Sequence, residues 1–423
     1  MSWIRRTALG LIAALYVLAG RWGFHRLASA EPDPNPFLEL RLWIVMGGLM
    51  LAAVGLVHRA HRPARSRETR IDTRLTTALL LFFGYLATSA LWSPDASFAL
   101  AKLYDLALVC VMSVGFGLAS LRQPSERVLD AFWAVVVTAT ALLAVTGVRQ
   151  LLGGGGGARL AVLGGGPNIF ARLMGLLALG ALYFWYRRGQ AWLWIPLAAT
   201  GVILALLTGS RGGSGAIIAG IATFLIVGRV PLRRIAILSL LATAAVVMVT
   251  LLSPLGQALN RSVEERFLRL TLKYDGGNAS ESKVYLSGRE VLYQAAYELG
   301  LDHPVAGAGL SAFPALGLGV YPHNLFLEVF CEGGVLGLAF LAWVLLTFVR
   351  TVLRARGGLD GATVGAAVLI LIGSQSSGDL YDCRALYLLM AMAACTSAAG
   401  RRSAPASLPQ ALPAAHPVVP GVT

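Results

Sequence analysis

Three polar side chains that could do chemistry lie either at the border of an apolar run or in the first turn of a predicted loop helix. Arg211 lies in LLTGSRGGSGA, Arg289 in YLSGREVL, and His323 in VYPHNLFLEVF. Guanidinium groups bind pyrophosphate oxygens in bidentate fashion and neutralise the charge that grows as this group leaves. A histidine, with an ordinary pKa near ~6.5, takes a proton from a sugar hydroxyl at neutral pH. Together these residue types indicate glycosyl transfer from a lipid pyrophosphate.

Other polar residues lie close to these three along the chain. We expect Asn324 to orient the histidine before it, and Glu332 either to hold its helix in place or to bind an arginine. Asp379 and Asp382, in SSGDLYDCR, either belong to the same site or neutralise Arg384. All of these residues fall on one predicted membrane face beside the largest polar loop, which favours a shared site.

The main candidates also have structural interpretations. An arginine at a membrane boundary, such as Arg211, commonly extends towards lipid headgroups, and a histidine at a helix start, such as His323, is often a cap. Glu31 and Asp33, in EPDPN, have the acid-x-acid spacing of some divalent-cation sites. The pair also fits a solvated turn in a proline-rich loop, so no metal site is predicted.

The elements that must position these residues are membrane helices. Hydrophobic residues make up 57% of the 423 residues and charged residues 13%, against about 45–50% and about 25% in a soluble domain. This composition excludes a soluble globular protein and predicts an all-α polytopic membrane protein with about 12 transmembrane helices, the first of them uncleaved. The apolar runs lie at 7–22, 38–57, 75–92, 99–119, 128–148, 169–186, 191–208, 212–228, 235–252, 325–349, 362–378 and 385–399.

Basic residues assign the sides of the membrane. With the N-terminus in the cytoplasm, 20 of the 35 lysines and arginines fall on inner segments, as the positive-inside rule requires. Both termini are therefore predicted to be cytoplasmic, and the net charge of +14 needs no nucleic-acid partner. The long loop before the tenth run is then on the extracytoplasmic side of the membrane. Two S-x-x-E capping boxes in it, SVEE and SGRE, predict short helices near 262–273 and 288–299.

These predictions divide the chain into four segments. Residues 1–252 hold nine helices, 253–323 form the outer loop, 324–400 hold three helices, and 401–423 form a disordered cytoplasmic tail. The glycines of EGGVLG are interpreted as a helix-packing face. The four cysteines have no zinc-site spacing and predict neither a disulfide framework nor a metal site.

Four segments together resemble the O-antigen ligase superfamily, which also contains O-antigen polymerases and protein O-oligosaccharyltransferases. They are GSRGG, the SGR of the long loop, HPVAGAGLSAF and HNLFLEVFCEGGVLGL, and the resemblance covers about residues 205–340. It implies a GT-C-like glycosyltransferase of the bacterial inner membrane with a periplasmic active site. The implied donor is undecaprenyl-pyrophosphate-linked polysaccharide. For a ligase of lipopolysaccharide biosynthesis, the acceptor is the lipid A-core oligosaccharide.

The resemblance also implies roles for individual residues. The two essential arginines of the family correspond to Arg211 and Arg289, its loop-end histidine to His323, and its late aspartate to Asp379. It implies that no metal or other cofactor is needed. With His323 as the general base, a single displacement inverts the anomeric configuration.

Two alternatives stay open at this point. A polymerase or a protein-targeting relative would use the same donor with another acceptor. A transporter of the lipid-linked sugar would place ionisable groups deep in the bilayer, and Asp105 and Arg172 lie within apolar runs.

Overall fold

The protein is a bundle of helices, seen here in a computed structural model. The structure describes residues 2–20, 35–60, 73–116, 126–152, 160, 166–234, 236, 289–355 and 360–403. Every regular element in these ranges is helical. The α-helices are α1 (Ser2–Leu18), α2 (Leu40–Ala60), α3 (Arg74–Thr88), α4 (Ala96–Cys110), α5 (Glu126–Leu152), α6 (Pro167–Arg188), α7 (Ala191–Leu207), α8 (Arg211–Val227), α9 (Glu290–Asp302), α10 (Leu325–Arg354), α11 (Gly361–Gly373) and α12 (Arg384–Ser403).

The helices agree with the apolar pattern of the sequence. Eleven of the predicted runs overlap described helices, and the ninth, 235–252, lies outside the described residues except for residue 236. The all-α prediction is therefore confirmed for the described part of the chain. Five segments there are long and apolar enough to cross a membrane, by length and composition. They are Arg74–Trp92, Ala96–Gly115, Glu126–Leu151, Pro167–Arg188 and Leu325–Arg354.

The predicted loop helices and tail have mixed outcomes. The helix near 262–273 and most of the predicted tail, 404–423, lie outside the described residues, while α12 extends to Ser403. The second loop helix exists as α9, but it begins at Glu290 with Arg289 at the N-cap position. Ser287, the capping residue of SGRE, lies outside the described residues, so the capping box stays a prediction. The guanidinium of Arg289 donates to the carbonyl of Ser376, so a tertiary contact fixes this helix start.

Contacts between helix ends divide the bundle into two faces. On one face, which we call the site face, Arg172 near the start of α6 donates to the carbonyl of Ser377 after α11. On the opposite face, Arg187 at the end of α6 forms an ion pair with Glu126 at the start of α5. Helix α6 thus connects the two faces, and it is the most enclosed of the five span-length segments.

Small residues bring α8 and α11 into backbone contact. A Cβ on Gly365 would collide with the carbonyl of Gly220, and a Cβ on Gly220 would crowd the carbonyl of Gly365. Membrane helices use such small residues to approach closely, since apolar burial alone does not drive their association. The start of α8 also lies against Ser376, whose side chain occupies the space that a Cβ on Gly212 would need. The glycines of GSRGG therefore place Arg211 beside the end of α11.

Helix α10 is broken at Gly334, whose φ of 62° and ψ of −161° are not helical. The segment after α9 fills the break. The amides of Ala308 and Gly309 donate to the carbonyls of Cys331 and Glu332 at 2.8 and 3.1 Å. Beyond the break, the amides of Val335 and Leu336 donate to the carbonyls of Pro304 and Val305 at 2.8 and 3.2 Å. Backbone groups that the break would leave unpaired are satisfied in this way.

This geometry corrects one sequence interpretation. Gly333 packs near Leu86 and Tyr85, as a packing glycine would, and Gly337 remains within helical backbone. Gly334, however, breaks the helix, and a Cβ there would collide with the backbone of Val305. The break separates a short first section of α10, residues 325–333, from the rest of the helix.

Gly334→Ala tests the break. This combination of φ and ψ, which is essentially restricted to glycine, costs an L-residue roughly 1–3 kcal/mol, and the added methyl group must displace the backbone of Val305. We expect the apparent unfolding temperature in detergent to fall by several degrees. Gly84→Ala is the matched control, because that glycine lies within α3 with open space around its Cβ position. Equal stability of the two variants would contradict the broken-helix geometry.

Candidate active site

The backbone between α11 and α12 gathers donors from three distant elements. We call residues 374–378 the site turn. The carbonyl of Ser376 accepts from the guanidinium of Arg289, and that of Ser377 accepts from Arg172 at 2.7 Å. The carbonyl of Gln375 accepts from the hydroxyl of Tyr293 and from the amide of Asn324, each at 3.2 Å. The site turn therefore joins α6, α9 and the start of α10.

The two arginines of the turn are bonded to neutral groups. Within the described part of the chain, neither Arg172 nor Arg289 forms an ion pair. Arg172 is buried, and its Nε has no hydrogen-bond partner among the described residues. Carbonyl partners orient a guanidinium without cancelling its charge, and a guanidinium has further donors to offer. Two oriented positive charges therefore remain at the turn, which suits an anion.

His323 stands directly before α10 in an unusual backbone conformation, with φ of 61°. Its ring packs edge-on against Tyr321 with 4.6 Å between ring centroids. Its Nδ1 is buried and has no hydrogen-bond partner among the described residues. A strained, part-buried histidine with an unused ring nitrogen is typical of functional sites.

The surroundings of His323 keep its imidazole neutral. Burial lowers its pKa from 6.5 to about 4, the charges of Arg289 and Arg172 act in the same direction, and Asp379 opposes them. These charges are close enough to act on one ring, so the structure brings Arg289, Asp379 and Arg172 together around His323. At neutral pH the imidazole is in the form that accepts a proton.

Arg211 occupies a neighbouring position on the site face. It is the first residue of α8, after Ser210, whose hydroxyl caps the helix through the amide of Gly213 at 3.0 Å. The contact of Gly212 with Ser376 fixes the backbone beside the site turn. Arg211 is not among the charged groups that shift the pKa of His323. The second guanidinium beside the imidazole is Arg172.

Asn324 positions His323 by capping α10 and not by a contact with its ring. The side chain of Asn324 caps α10 by accepting from the amides of Phe326 and Leu327 at 3.0 and 3.1 Å, and it donates to Gln375. Its amide group is thus committed at both ends, and Asn324 places His323 through the backbone.

Asp379 and Asp382 have different partners in the structure. Asp379 is buried beside His323 and accepts from the amide of Asp382 at 2.8 Å. A carboxylate oxygen of Asp382 lies 4.0 Å from the guanidinium of Arg384, the arginine that the sequence offered as its partner. Of the pair, Asp379 belongs to the surroundings of the imidazole.

Glu332 belongs to a second cluster below the start of α10. The ammonium group of Lys102 lies 2.5 Å from a carboxylate oxygen of Glu328 and 2.6 Å from one of Glu332. Both glutamates are buried and lie one helical turn apart on the short first section of α10. Glu332 therefore does hold its helix in place, but its cation is a lysine of α4 and not an arginine.

Asp105, the residue that kept a transporter interpretation open, is engaged in an ion pair. Its carboxylate lies 2.5 Å from the guanidinium of Arg41, which also binds Glu39. The group joins α2 to α4, and its arginine stacks on the ring of Tyr381 at 4.5 Å from the ring centroid. The charges of Asp105 and Arg41 therefore offset each other within the bundle, which reduces the cost of burying them.

The sequence did not assign three functional residues, which are Arg172 and Tyr293 of the site and Lys102 of the second cluster. Arg172 and Lys102 interrupt apolar runs, and this is the signal that could have identified them, because a charge within a span is costly and needs a partner. Tyr293 carried no such signal. Burial raises the pKa of Tyr293 while Arg289 opposes this effect, so the phenol remains a hydrogen-bond donor at neutral pH.

The described residues contain no group of three or more His, Cys, Asp or Glu side chains that could hold a metal ion. Glu31 and Asp33, the acidic pair of the sequence, lie outside the described residues. The absence of a cofactor remains a prediction.

The pKa of His323 can be followed by NMR of labelled histidine, with the signal assigned by its loss in His323→Gln. We expect a titration midpoint at about 4 and a higher midpoint in Arg289→Gln, where one positive charge is removed. Because folding lowers this pKa, the stability contributed by the neutral ring is complete above about pH 6.5 and is lost as pH falls towards 4. A midpoint near 6.5 in both proteins would contradict the site geometry.

Lys102→Met tests the second cluster. The variant leaves two buried carboxylates without their cation, and breaking a buried pair costs about 3–5 kcal/mol. We expect a clear fall in the unfolding temperature in detergent. The triple variant Lys102→Met, Glu328→Gln, Glu332→Gln is the control and should recover much of the loss, because no charge is left unpaired. A neutral effect of Lys102→Met would refute the cluster.

Comparison with known proteins bears on the same region. No curated protein matches the chain. The family model described as O-antigen ligase matches residues 196–342. The match includes Arg211, Arg289 and His323, while Arg172 and Asp379 lie outside it. The resemblance found in the sequence is therefore confirmed over residues 196–342, where the chain matches the O-antigen ligase family model.

Proposed function

We propose that this protein transfers O-antigen polysaccharide from undecaprenyl pyrophosphate to a hydroxyl group of the lipid A-core oligosaccharide. The O-antigen ligase domain supports a function of the ligase and polymerase type. The observation that carries the finer proposal is the site turn, where Arg289 and Arg172 surround the imidazole of His323 without an ion-pair partner among the described residues.

The arginines would bind the pyrophosphate of the donor. Arg289 and Arg172 are held by backbone carbonyls, so their positive charges are oriented before the donor arrives. Arg211, at the start of α8 beside the same turn, would bind the pyrophosphate from a further side. Charges that are already in place cost no reorganisation when negative charge builds up on the leaving group.

His323 would act as the general base. The acceptor oxygen attacks the anomeric carbon, the bond from that carbon to the pyrophosphate oxygen breaks, and its electron pair leaves with the pyrophosphate. The acceptor proton passes to the imidazole, which is neutral in the free protein. A single displacement of this kind inverts the anomeric configuration and requires no metal.

Donor binding would also strengthen the base. The charges of Arg289 and Arg172 lower the pKa of His323 in the free protein. A bound pyrophosphate offsets these charges, so the pKa rises and the imidazole accepts a proton more readily. The site therefore couples the basicity of His323 to the presence of the donor.

The proposed placement has twelve transmembrane helices in the inner membrane, both termini in the cytoplasm and the site face in the periplasm. The separation of helix ends into two faces supports this placement. Arginines Arg187, Arg350 and Arg354 lie at helix ends on the face opposite the site, in agreement with the positive-inside rule. In this proposal, polysaccharide and lipid A-core meet at the site face.

A transfer assay with the purified full-length protein tests the proposal. A polyprenyl-pyrophosphate oligosaccharide is supplied with lipid A-core, with free repeat units or with a pilin-like protein, each with and without a chelator. Among the three acceptors, we expect only lipid A-core to give product, whether or not chelator is present. Product that forms only on repeat units or on protein would assign a polymerase or a protein-directed enzyme instead.

His323→Ala separates binding from chemistry. Loss of a general base lowers kcat by roughly 100- to 10,000-fold, while donor affinity, measured by retention of labelled donor, should change little. His303→Ala is the matched control, because His303 is exposed at the end of α9 in the same segment. Normal turnover by His323→Ala would refute the proposed mechanism.

Arg289→Gln should weaken donor binding, whereas His323→Ala should lower kcat. A hydrogen bond to a charged group contributes about 1.5–3 kcal/mol, so we expect donor affinity to fall roughly 10- to 100-fold. Arg233→Gln, an exposed arginine after α8, is the control for loss of one positive charge. Unchanged donor affinity in Arg289→Gln would exclude it from the pyrophosphate site.

A further inference from the structure

Asn168 lies in the first turn of α6, and both ends of its carboxamide are bonded to other elements of the site face. Its oxygen accepts from the hydroxyl of Ser210 at 2.5 Å. Its amino group donates to the carbonyl of Ser376 in the site turn at 3.4 Å. A backbone carbonyl can only accept, so the amino group must be the end that faces Ser376. One neutral, part-buried side chain therefore connects α6, the start of α8 and the site turn.

The bond to Ser210 bears on Arg211. Ser210 is the N-cap of α8 and directly precedes Arg211 in the chain. Its hydroxyl oxygen accepts from the amide of Gly213 at 3.0 Å, while its single proton is donated to Asn168. Because a hydroxyl has one proton to give, the acceptor that takes it also fixes the direction of the oxygen that caps the helix. Asn168 thus helps to fix the backbone from which Arg211 extends.

The bond to Ser376 bears on the other two arginines of the site. The carbonyl of Ser376 accepts from Arg289 as well as from Asn168, so one oxygen orients both side chains. Arg172 lies one helical turn after Asn168 on the same face of α6, and it donates to the next carbonyl of the turn, that of Ser377. Two bonds one turn apart therefore hold α6 in register with the site turn.

We propose that Asn168 is a positioning residue that sets the spacing of the three arginines around the pyrophosphate of the donor. Guanidinium groups that converge on one anion site repel each other before the anion arrives, so their spacing must be held by other contacts. A carboxamide suits this role because it both donates and accepts, and because it adds no charge that would compete with the anion. This inference rests on the proposed function, since it concerns how the proposed donor is bound.

Donor binding by Asn168→Ala tests this role in the full-length protein. The ligand is a polyprenyl pyrophosphate that carries no sugar. We expect its affinity to fall about 10-fold, because the variant loses the bonds to Ser210 and Ser376. Turnover at saturating donor should stay within about twofold of wild type, because the loss lies in binding and His323 is untouched. Gln294→Ala is the matched control, since this exposed carboxamide donates to Glu298 of its own helix α9, and it should bind the donor as wild type does.

Asn168→Asp separates charge from geometry and provides a second variant should Asn168→Ala fold poorly. The carboxylate can still accept from Ser210, but it cannot donate to Ser376, and it brings a negative charge to the anion site. We expect weaker donor binding than in Asn168→Ala. The difference between the two variants should shrink as salt screens the added charge. Equal affinities of the two variants at low salt would place Asn168 away from the pyrophosphate and overturn the inference.

A double-mutant cycle with Arg211→Gln distinguishes positioning from a general loss of stability. If Asn168 acts through the arginines, Asn168→Ala should weaken donor binding by only about threefold where one arginine is already absent. Additive losses, or wild-type affinity in Asn168→Ala, would overturn the inference. If Arg289→Gln still weakens donor binding as expected, the proposed function stands in that case. Wild-type protein that fails to bind the pyrophosphate would overturn both.

Discussion

The arrangement of the candidate site depends on the backbone carbonyls of residues 374–378. Three successive carbonyls accept side-chain donors from α6, from α9 and from the start of α10, so a short turn positions groups that are far apart in the chain. A carbonyl orients a guanidinium without neutralising it, which a carboxylate partner would do. The turn therefore fixes geometry and preserves positive charge at once. This positive charge lowers the pKa of His323, although burial of the ring lowers it more.

A second constraint fixes the first section of α10, which begins beside the site turn. The break at Gly334 divides α10, and the segment 304–309 completes the hydrogen bonds of the broken backbone. The short first section of α10 is then held by Lys102 through Glu328 and Glu332. His323 and Asn324 lie at the upper end of this section. His323 is thus positioned by the Asn324 cap on one side and by a buried ion cluster on the other.

The sequence was most informative where a local rule applies. Apolar runs predicted the helices, and the predicted topology placed His323 and Arg289 on one membrane face, where the structure brings them together. Asn324 as a helix cap follows from a local rule as well. Long-range pairings were beyond such rules. Lys102 and Glu328 are 226 residues apart, and no spacing pattern connects them. Gly334 looked like a packing glycine because a helix break depends on the segment that fills it.

The pKa of His323 in the presence of the donor anion tests the central claim most directly. Histidine-labelled protein is titrated by NMR, first alone and then saturated with a polyprenyl pyrophosphate that carries no sugar and so cannot react. If the guanidiniums and the imidazole share one anion site, the midpoint rises from about 4 when the pyrophosphate binds. A midpoint that stays unchanged while the pyrophosphate is bound would show that the anion lies elsewhere, and would contradict the account.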